Sequence, residues 1–290
     1  MKRLLALLLA LLLSFSFVLV SCDSSSESSS ESADEETEET EDEEGEEEDI
    51  YVYKKNRDDS YSIACTDKTI TEITSLPEIY KGRKVTGLSD GAFADCPNLT
   101  KVVLNDSIVT IGDNAFRGCV SLSEITLEGD VTSIGMHAFE NCISLVEFKF
   151  PNTVRSIGMD AFANCKSIKE LVLPDSLQLI GNFAFSYCTS LETVSMGDKV
   201  RQIGENAFNR CSKLIYINLS TELQSIGTAA FAFCTSLISI EIPESVTMMG
   251  NRVFRGSDQV IIMANQTEQP DSWDPYWNNM GPTVLWKGEW

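Results

Sequence analysis

Seven cysteines fall on one period: Cys96, Cys119, Cys142, Cys165, Cys188, Cys211 and Cys234 stand 23 residues apart. Thiols at a fixed step could form disulfides or hold a soft metal ion. Strands in adjacent layers lie about 4.7–4.9 Å apart, so distance alone does not forbid a bridge between neighbours. Two features point away from both chemistries. A disulfide joins residues in twos, whereas every repeat carries the same cysteine and the eighth position holds Ser257. Zinc needs ligands converging from different directions, which one column of side chains does not offer. The thiols therefore read as free, packed as small hydrophobes, with no metal and no other cofactor.

Acid–base chemistry has little to work with. His137 is the single histidine, which excludes mechanisms using two imidazoles or a His-rich metal cage. Its place in the period is filled elsewhere by Asn114, Asp160, Phe183, Asn206 and Ala229, the behaviour of a variable surface residue. Carboxylates such as Glu124 and Glu147 could meet on neighbouring strands, where most such pairs are solvated charge. No G-x-S-x-G element, phosphate loop or metal-binding helix occurs, and no enzyme is expected. Trp273, Tyr276, Trp277, Trp286 and Trp290 could stack on a sugar, with Trp273, Trp277 and Trp286 as the platform. The reading set before it is a cover over the last exposed core.

Charge narrows the partners. The 290-residue chain carries 44 acidic and 22 basic side chains, a net of −22. That excludes a nucleic-acid binder that works by neutralising phosphates. Sixteen of the acids lie in residues 23–49, with no Lys or Arg among them, so the remainder from Ile50 onward is only mildly acidic. An acidic binding module or an enzyme running on carboxylates alone survives.

The N-terminus reads as an address. Lys2 and Arg3 precede an apolar run from Leu4 to Val20, broken only by Ser14 and Ser16, the layout of a secretory signal. Leu19-Val20-Ser21-Cys22 then resembles a bacterial lipobox, which implies cleavage before Cys22 and a lipid on that cysteine. The Ser- and Glu-rich stretch to Asp49 has almost nothing to bury and repels itself, so it is expected to be a disordered spacer. Stretched out, its 27 residues reach roughly 90 Å.

Positioning everything else is a repeat. Phe93, Phe116, Phe139, Phe162, Phe185, Phe208, Phe231 and Phe254 keep the 23-residue step, and glycine keeps it from Gly112 to Gly250. Within a unit, Leu122, Ile125 and Leu127 give L-x-x-L-x-L, the last two alternating with exposed positions at strand spacing. Val131–Ile134 reads as a second short strand, Gly135 as a tight turn, and Ala138-Phe139-x-x-Cys142 as a single helical turn. No coil buries its apolar edge alone, but stacked coils do. The expected fold is a leucine-rich repeat solenoid with parallel β ladders and short helical turns, capped at both ends.

The L-x-x-L-x-L, I-G-x-x-A-F and C-x-x-L segments resemble the BspA-like leucine-rich repeat family, also called the Treponema pallidum type, over about residues 85–257. The expected organisation is a signal peptide over 1–21 and a lipidated cysteine with acidic tether over 22–49. A capping hairpin and first degenerate coil follow over 50–87, repeats over 88–257, and an aromatic cap over 258–290. The resemblance implies a lipid-anchored, outward-facing bacterial envelope protein that adheres to host or neighbouring-cell proteins. A glycan-binding module and a structural envelope protein stay open, as does the oligomeric state. The candidate protein-binding surface is the outward face of the L-x-x-L-x-L strands: Lys101, Glu124, Glu147, Lys149, Glu170, Thr193, Tyr216, Asn218 and Glu241. Tyr216 is its best single anchor, since aromatics are enriched at hot spots.

Overall fold

The computed structural model describes residues 50–278 and 281–290. The signal segment, Cys22 and the acidic stretch lie outside the described residues. From Ile50 onward the chain winds into a parallel β-solenoid whose strands pair one 23-residue step apart, as Ser133–Ile134 pairs with Ser156–Ile157. It opens with an antiparallel hairpin, Tyr51–Lys55 against Tyr61–Cys65. The second hairpin strand then pairs in parallel with Arg83–Leu88.

From there one sheet runs without interruption through Thr110–Ile111, Ser133–Ile134, Ser156–Ile157, Leu179–Ile180, Gln202–Ile203 and Ser225–Ile226 to Met248–Met249. Each of these strands is two residues long, with the second side chain turned into the core. Glycine follows at once. A tight turn was expected at Gly135, and one does follow it over 136–140, but Gly135 itself has no positive φ. Its role is contact: a Cβ on Gly158 would stand 2.7 Å from the Gly135 carbonyl carbon, and one on Gly181 would stand 2.6 Å from that of Gly158. Backbone touches backbone along the whole edge.

No helix occurs among the described residues, which corrects the expected helical turn at each Ala-Phe-x-x-Cys. The backbone is left-handed two residues before and two after each phenylalanine, as at His137 (φ 56°) and Asn141 (φ 62°). Such residues break a right-handed helical path. The segment is held across coils instead: Phe116 N–H donates to the Ala138 carbonyl at 2.7 Å and Phe139 N–H to that of Ala161 at 2.7 Å. Inside this turn edge the eight phenylalanines are buried and stack, with centroids 5.0 Å apart for Phe139–Phe162 and 5.7 Å for Phe231–Phe254.

The cysteine column is free and buried, and it does more than fill space. Cys119 Sγ donates to the Phe93 carbonyl at 3.0 Å, Cys142 to that of Phe116 at 3.2 Å, and so on coil by coil. Ser257 Oγ closes the series on the Phe231 carbonyl at 2.8 Å. The serine therefore keeps a donor as well as a small volume. Burial pushes the Cys188 and Cys234 thiols up to about 12, so they hold the proton that they donate.

The period was expected to fail after Ser257. On the strands it does: Ile261–Ala264 pairs in parallel with Ser239–Ile242, and Thr283–Trp286 with Ile261–Ala264, each 22 rather than 23 residues on, so the stacking continues at a shortened step. Trp277, 23 residues beyond Phe254, takes the next rung of the aromatic column and meets Phe254 edge-on at 6.1 Å. Its larger ring system covers the end of the stack.

Candidate functional site

The L-x-x-L-x-L strands form the second long face, and it is not one sheet. Glu72–Ile73, Lys101–Leu104 and Glu124–Leu127 make one piece. Glu170–Val172, Thr193–Ser195 and Tyr216–Ile217 make another, and Ser239–Ile242, Ile261–Ala264 and Thr283–Trp286 a third. The surface was expected to be the outward side of the main sheet. The main sheet is the Ile–Gly edge, and the candidate residues are spread over three smaller ones and a gap.

The gap is the segment 147–150, carrying Glu147 and Lys149. No strand forms there, and no backbone hydrogen bond joins Glu147–Phe150 to either neighbouring coil among the described residues. Side-chain volume explains it. Phe148 and Phe150 stand where other coils carry aliphatic residues. Phe148 wedges edge-on against Phe139 at 5.1 Å and Phe162 at 4.8 Å, and Phe150 tilts onto Phe148 at 4.6 Å. Rings of this size demand more room than the aliphatic residues at the same positions in other coils, and the segment gives up its strand pairing to hold them. A groove of about 520 Å³ opens against Glu124–Leu127, and another of about 580 Å³ opens towards Glu170 and Val172. Ile125, Leu127 and Phe150, expected in the core, are only half-buried beside these grooves.

The second gap falls after Tyr216–Ile217. Asn218 accepts from the Met196 N–H at 3.0 Å and donates to the Met196 carbonyl at 3.0 Å. Its amide thus serves the preceding coil, so Asn218 is spent on structure rather than held out for a ligand. A third groove, of about 240 Å³, lies here between Tyr216, Thr221, Glu241 and Asn265.

The remaining candidates are placed as follows. Lys101 pairs with Glu124 at 2.9 Å across adjacent strands, and that contact raises the Lys101 ammonium above its usual range. Lys149 pairs with Glu147 at 3.4 Å on one segment. Glu170, Thr193 and Tyr216 sit in register on three consecutive strands, and Tyr216 is 54% exposed. Glu241 accepts from Asn265 Nδ2 at 2.8 Å. Apolar residues on the same face went unread in the sequence. Ile215, Ile238 and Ile261 are exposed on three successive coils, Ile238 by 62%, with Ile215 next to Tyr216. For Ile215 and Ile238 the signal is the residue after the repeat leucine, polar at Ser123 and Glu192 but aliphatic here, while Ile261 follows Val260 and stands in register with Ser239.

The tryptophan platform has no free face at its centre. Trp273 and Trp277 are each 2% exposed, and they meet edge-on at 5.1 Å. Trp273 Nε1 donates to the Val246 carbonyl, and Trp277 Nε1 to Gln269 Oε1, both at 3.2 Å. Trp286 is half-buried, tilted on Trp273. A sugar cannot stack on rings that the core already holds, so this cluster acts as a cap.

His137 lies on the turn edge, 3.0 Å from Glu140 Oε2 and 3.9 Å from Asp160 Oδ2, and Arg117 Nε stands 3.0 Å from the same Glu140 oxygen. Burial raises the Asp160 carboxyl above its usual range; His137 opposes the shift and Glu140 adds to it. No hydroxyl or thiol shares a hydrogen bond with the imidazole among the described residues. Nor do three or more His, Cys, Asp or Glu side chains among them converge to hold a metal ion.

A family model described as the BspA type leucine-rich repeat region matches residues 65–169 and 155–268, in six copies. Among solved structures, the T. pallidum leucine-rich repeat protein is 32% identical, covering 65% of this chain and 88% of its own, with a TM-score of 0.61. A leucine-rich repeat protein from Bacteroides ovatus is 23% identical over 82% of this chain and 70% of its own, with a TM-score of 0.59. A leucine-rich cell surface protein from Faecalibacterium prausnitzii is 22% identical over 83% and 94%, with a TM-score of 0.54. No curated protein sequence matches the chain.

Proposed function

The chain belongs to the BspA-type leucine-rich repeat family, and from that premise we propose that it is a protein-binding module of the bacterial envelope, contacting partners through its broken strand face. The observation that carries this reading is the exposed pair Ile215 and Ile238, one coil apart beside Tyr216, with exposed Ile261 in register with Ser239 on the next strand. Contiguous apolar exposure next to an aromatic anchor is what protein interfaces use at their centres. Around it, Glu170, Thr193 and Glu241 supply a polar rim, which steers and excludes wrong partners more than it adds affinity. The adjoining groove along Tyr216 and Glu241 gives a side chain of the partner somewhere to enter.

The partner class is a host or neighbouring-cell surface protein such as a matrix component. Supporting it is the N-terminal sequence, in which the basic start, apolar run and Leu19-Val20-Ser21-Cys22 would place the module on a lipid anchor at Cys22, facing outward. Replacing Cys22 by Ala should move the protein from the membrane fraction to the soluble one; retention would remove the anchor.

The binding test is an array of extracellular-matrix proteins probed with the full chain at low and high salt. A saturable protein partner is expected, bound at least tenfold more weakly after Tyr216→Ala or Ile238→Asp while thermal unfolding is unchanged. A partner indifferent to both substitutions would overturn the assignment to this face.

A further inference from the structure

Every coil holds two left-handed positions on its turn edge, two residues either side of the phenylalanine. The first four coils fill them with Gly91 and Asp95, Asn114 and Gly118, His137 and Asn141, Asp160 and Asn164. Apart from His137, these are glycine or short polar residues that tolerate the conformation. The next four coils keep that pattern only in part, at Asn206 and Gly256 and with the small Ala229: Phe183 (φ 57°), Tyr187 (φ 61°), Arg210 (φ 62°), Phe233 (φ 60°) and Arg252 (φ 52°) occupy the other five positions. Large side chains held left-handed cost about 1–2 kcal/mol each, and strain of this kind gathers where side chains must be displayed.

What they display is an alternating stack. The Arg210 guanidinium lies 5.5 Å from the Tyr187 ring centre and 4.6 Å from that of Phe233, and Arg255 closes over Phe233 at 5.7 Å. Gly256 makes room, since a Cβ there would stand 2.6 Å from the Phe233 ring. Phe183, Tyr187, Arg210, Arg252 and Arg255 are all exposed. Among the described residues no carboxylate lies within ion-pair distance of Arg210, Arg252 or Arg255. The same edge in the early coils is mainly acidic, with Asp90, Asp95, Asp113, Glu140 and Asp160 against Arg117, whereas Glu205 stands beside the basic residues of the later coils without pairing with them. A chain with a net charge of −22 has thus set aside one uncompensated cationic, aromatic strip.

We infer that this strip, Phe183, Tyr187, Arg210, Phe233, Arg252 and Arg255, binds an anionic polysaccharide bearing uronate or sulfate groups. The guanidinium fork matches a carboxylate or sulfate in two parallel hydrogen bonds, and the exposed Phe183 and Tyr187 rings offer apolar surface to pyranose rings, while Phe233, with Arg210 and Arg255 over it, holds the guanidinium groups in place. Register favours a glycan over an acidic peptide. Coils here are 5.3 to 5.7 Å apart, measured between stacked phenylalanines. An extended peptide advances about 3.3–3.4 Å per residue and falls out of step, whereas a pyranose ring is longer and comes closer to one unit per coil. The site is separate from the strand face proposed above for protein partners.

The test measures binding of the full chain to heparin and to polygalacturonate, with neutral dextran and poly-glutamate as controls. The key variant is Tyr187→Asn with Arg210→Asn and Phe233→Asn, which restores a residue type that suits the left-handed backbone and should leave the melting temperature equal or higher. The expected result is binding to one or both anionic glycans, weakened at least tenfold in the triple variant and in Tyr187→Asn with Phe233→Asn, which keeps every charge. Failure to bind either glycan overturns the inference, as does binding that survives the triple variant. Poly-glutamate binding as tightly as the glycans, or no effect of removing the two rings alone, would reduce the strip to a plain charge patch and also overturn it.

Discussion

Two faces of one solenoid are built from the same coils and behave differently. On the Ile–Gly edge the strands are two residues long, yet the sheet runs unbroken from Tyr51–Lys55 to Met248–Met249. On the L-x-x-L-x-L face the strands reach four residues, yet pairing stops on both sides of Glu147–Phe150 and again after Tyr216–Ile217. Strand length is therefore not what keeps the coils in register. Continuity follows the edges where side chains are smallest and most uniform: glycine against glycine, alanine before every phenylalanine but Phe254, and a thiol or hydroxyl on the carbonyl of every phenylalanine from Phe93 to Phe231. Variation in side-chain size is tolerated on the opposing strands because the register is already fixed elsewhere. That freedom lets one face open grooves without losing the fold.

The largest test of this contrast is in the aromatic column. Phe162 is fully buried and stacked between Phe139 at 5.0 Å and Phe185 at 5.4 Å, so Phe162→Ala should cost about 3–5 kcal/mol in chemical denaturation. A melting curve unchanged by it would refute a stacked core. Next comes the edge itself. Gly181→Ala drives a methyl into the Gly158 backbone and should cost about 1–3 kcal/mol. Val172→Ala on the broken face, where the side chain is 60% exposed, should stay within about 0.5 kcal/mol. Equal costs for those two would erase the distinction between the faces.

The smallest effect concerns pH on the turn edge. Because burial raises the Asp160 carboxyl, the folded chain holds that proton more tightly than the unfolded one. The penalty is absent in acid, below the ordinary value near 3.8, and sets in as pH rises through the folded value. Asp160→Asn removes it and keeps a residue suited to φ 55°. Stability at neutral pH should rise by about 0.5 kcal/mol or less, with the gain vanishing in acid; a gain that persists at low pH would show another cause.

Much of this was legible before any coordinate. The columns Phe93 to Phe254 and Cys96 to Cys234 put the coil length beyond doubt, and the alternation of Leu122, Ile125 and Leu127 located a strand in each coil. Two misreadings came from treating a residue by its commonest role. Gly135 read as a glycine kept for the turn's backbone angles because the sequence does not show a neighbouring backbone 23 residues away. Ser257 read as a small filler because the acceptor of its hydroxyl, the Phe231 carbonyl, is also one coil distant. A third came from stopping the count early: Trp277 stands one full step past Phe254, and only its change of residue type hid it.

The site was less legible than the fold. Tyr216 and Glu170 were placed on the right face by spacing alone, but exposed Ile215 and Ile238 lay one residue outside the alternating pattern, and the shortened last step hid Ile261. Asn218 looked like a free polar side chain until its two bonds to Met196 were seen. Trp273 and Trp277 looked available until the cap closed over them.

The sequence by itself determined the coil: its length, which residues face inward, and that coils must stack, because each of these depends on contacts repeated identically between a unit and its neighbour. Only the tertiary structure decided where the strand face breaks, which edge holds the register, and that Tyr187, Arg210 and Phe233 line up in one strip. Those outcomes turn on side-chain volume and backbone handedness summed across adjacent coils, and no single repeat contains that sum.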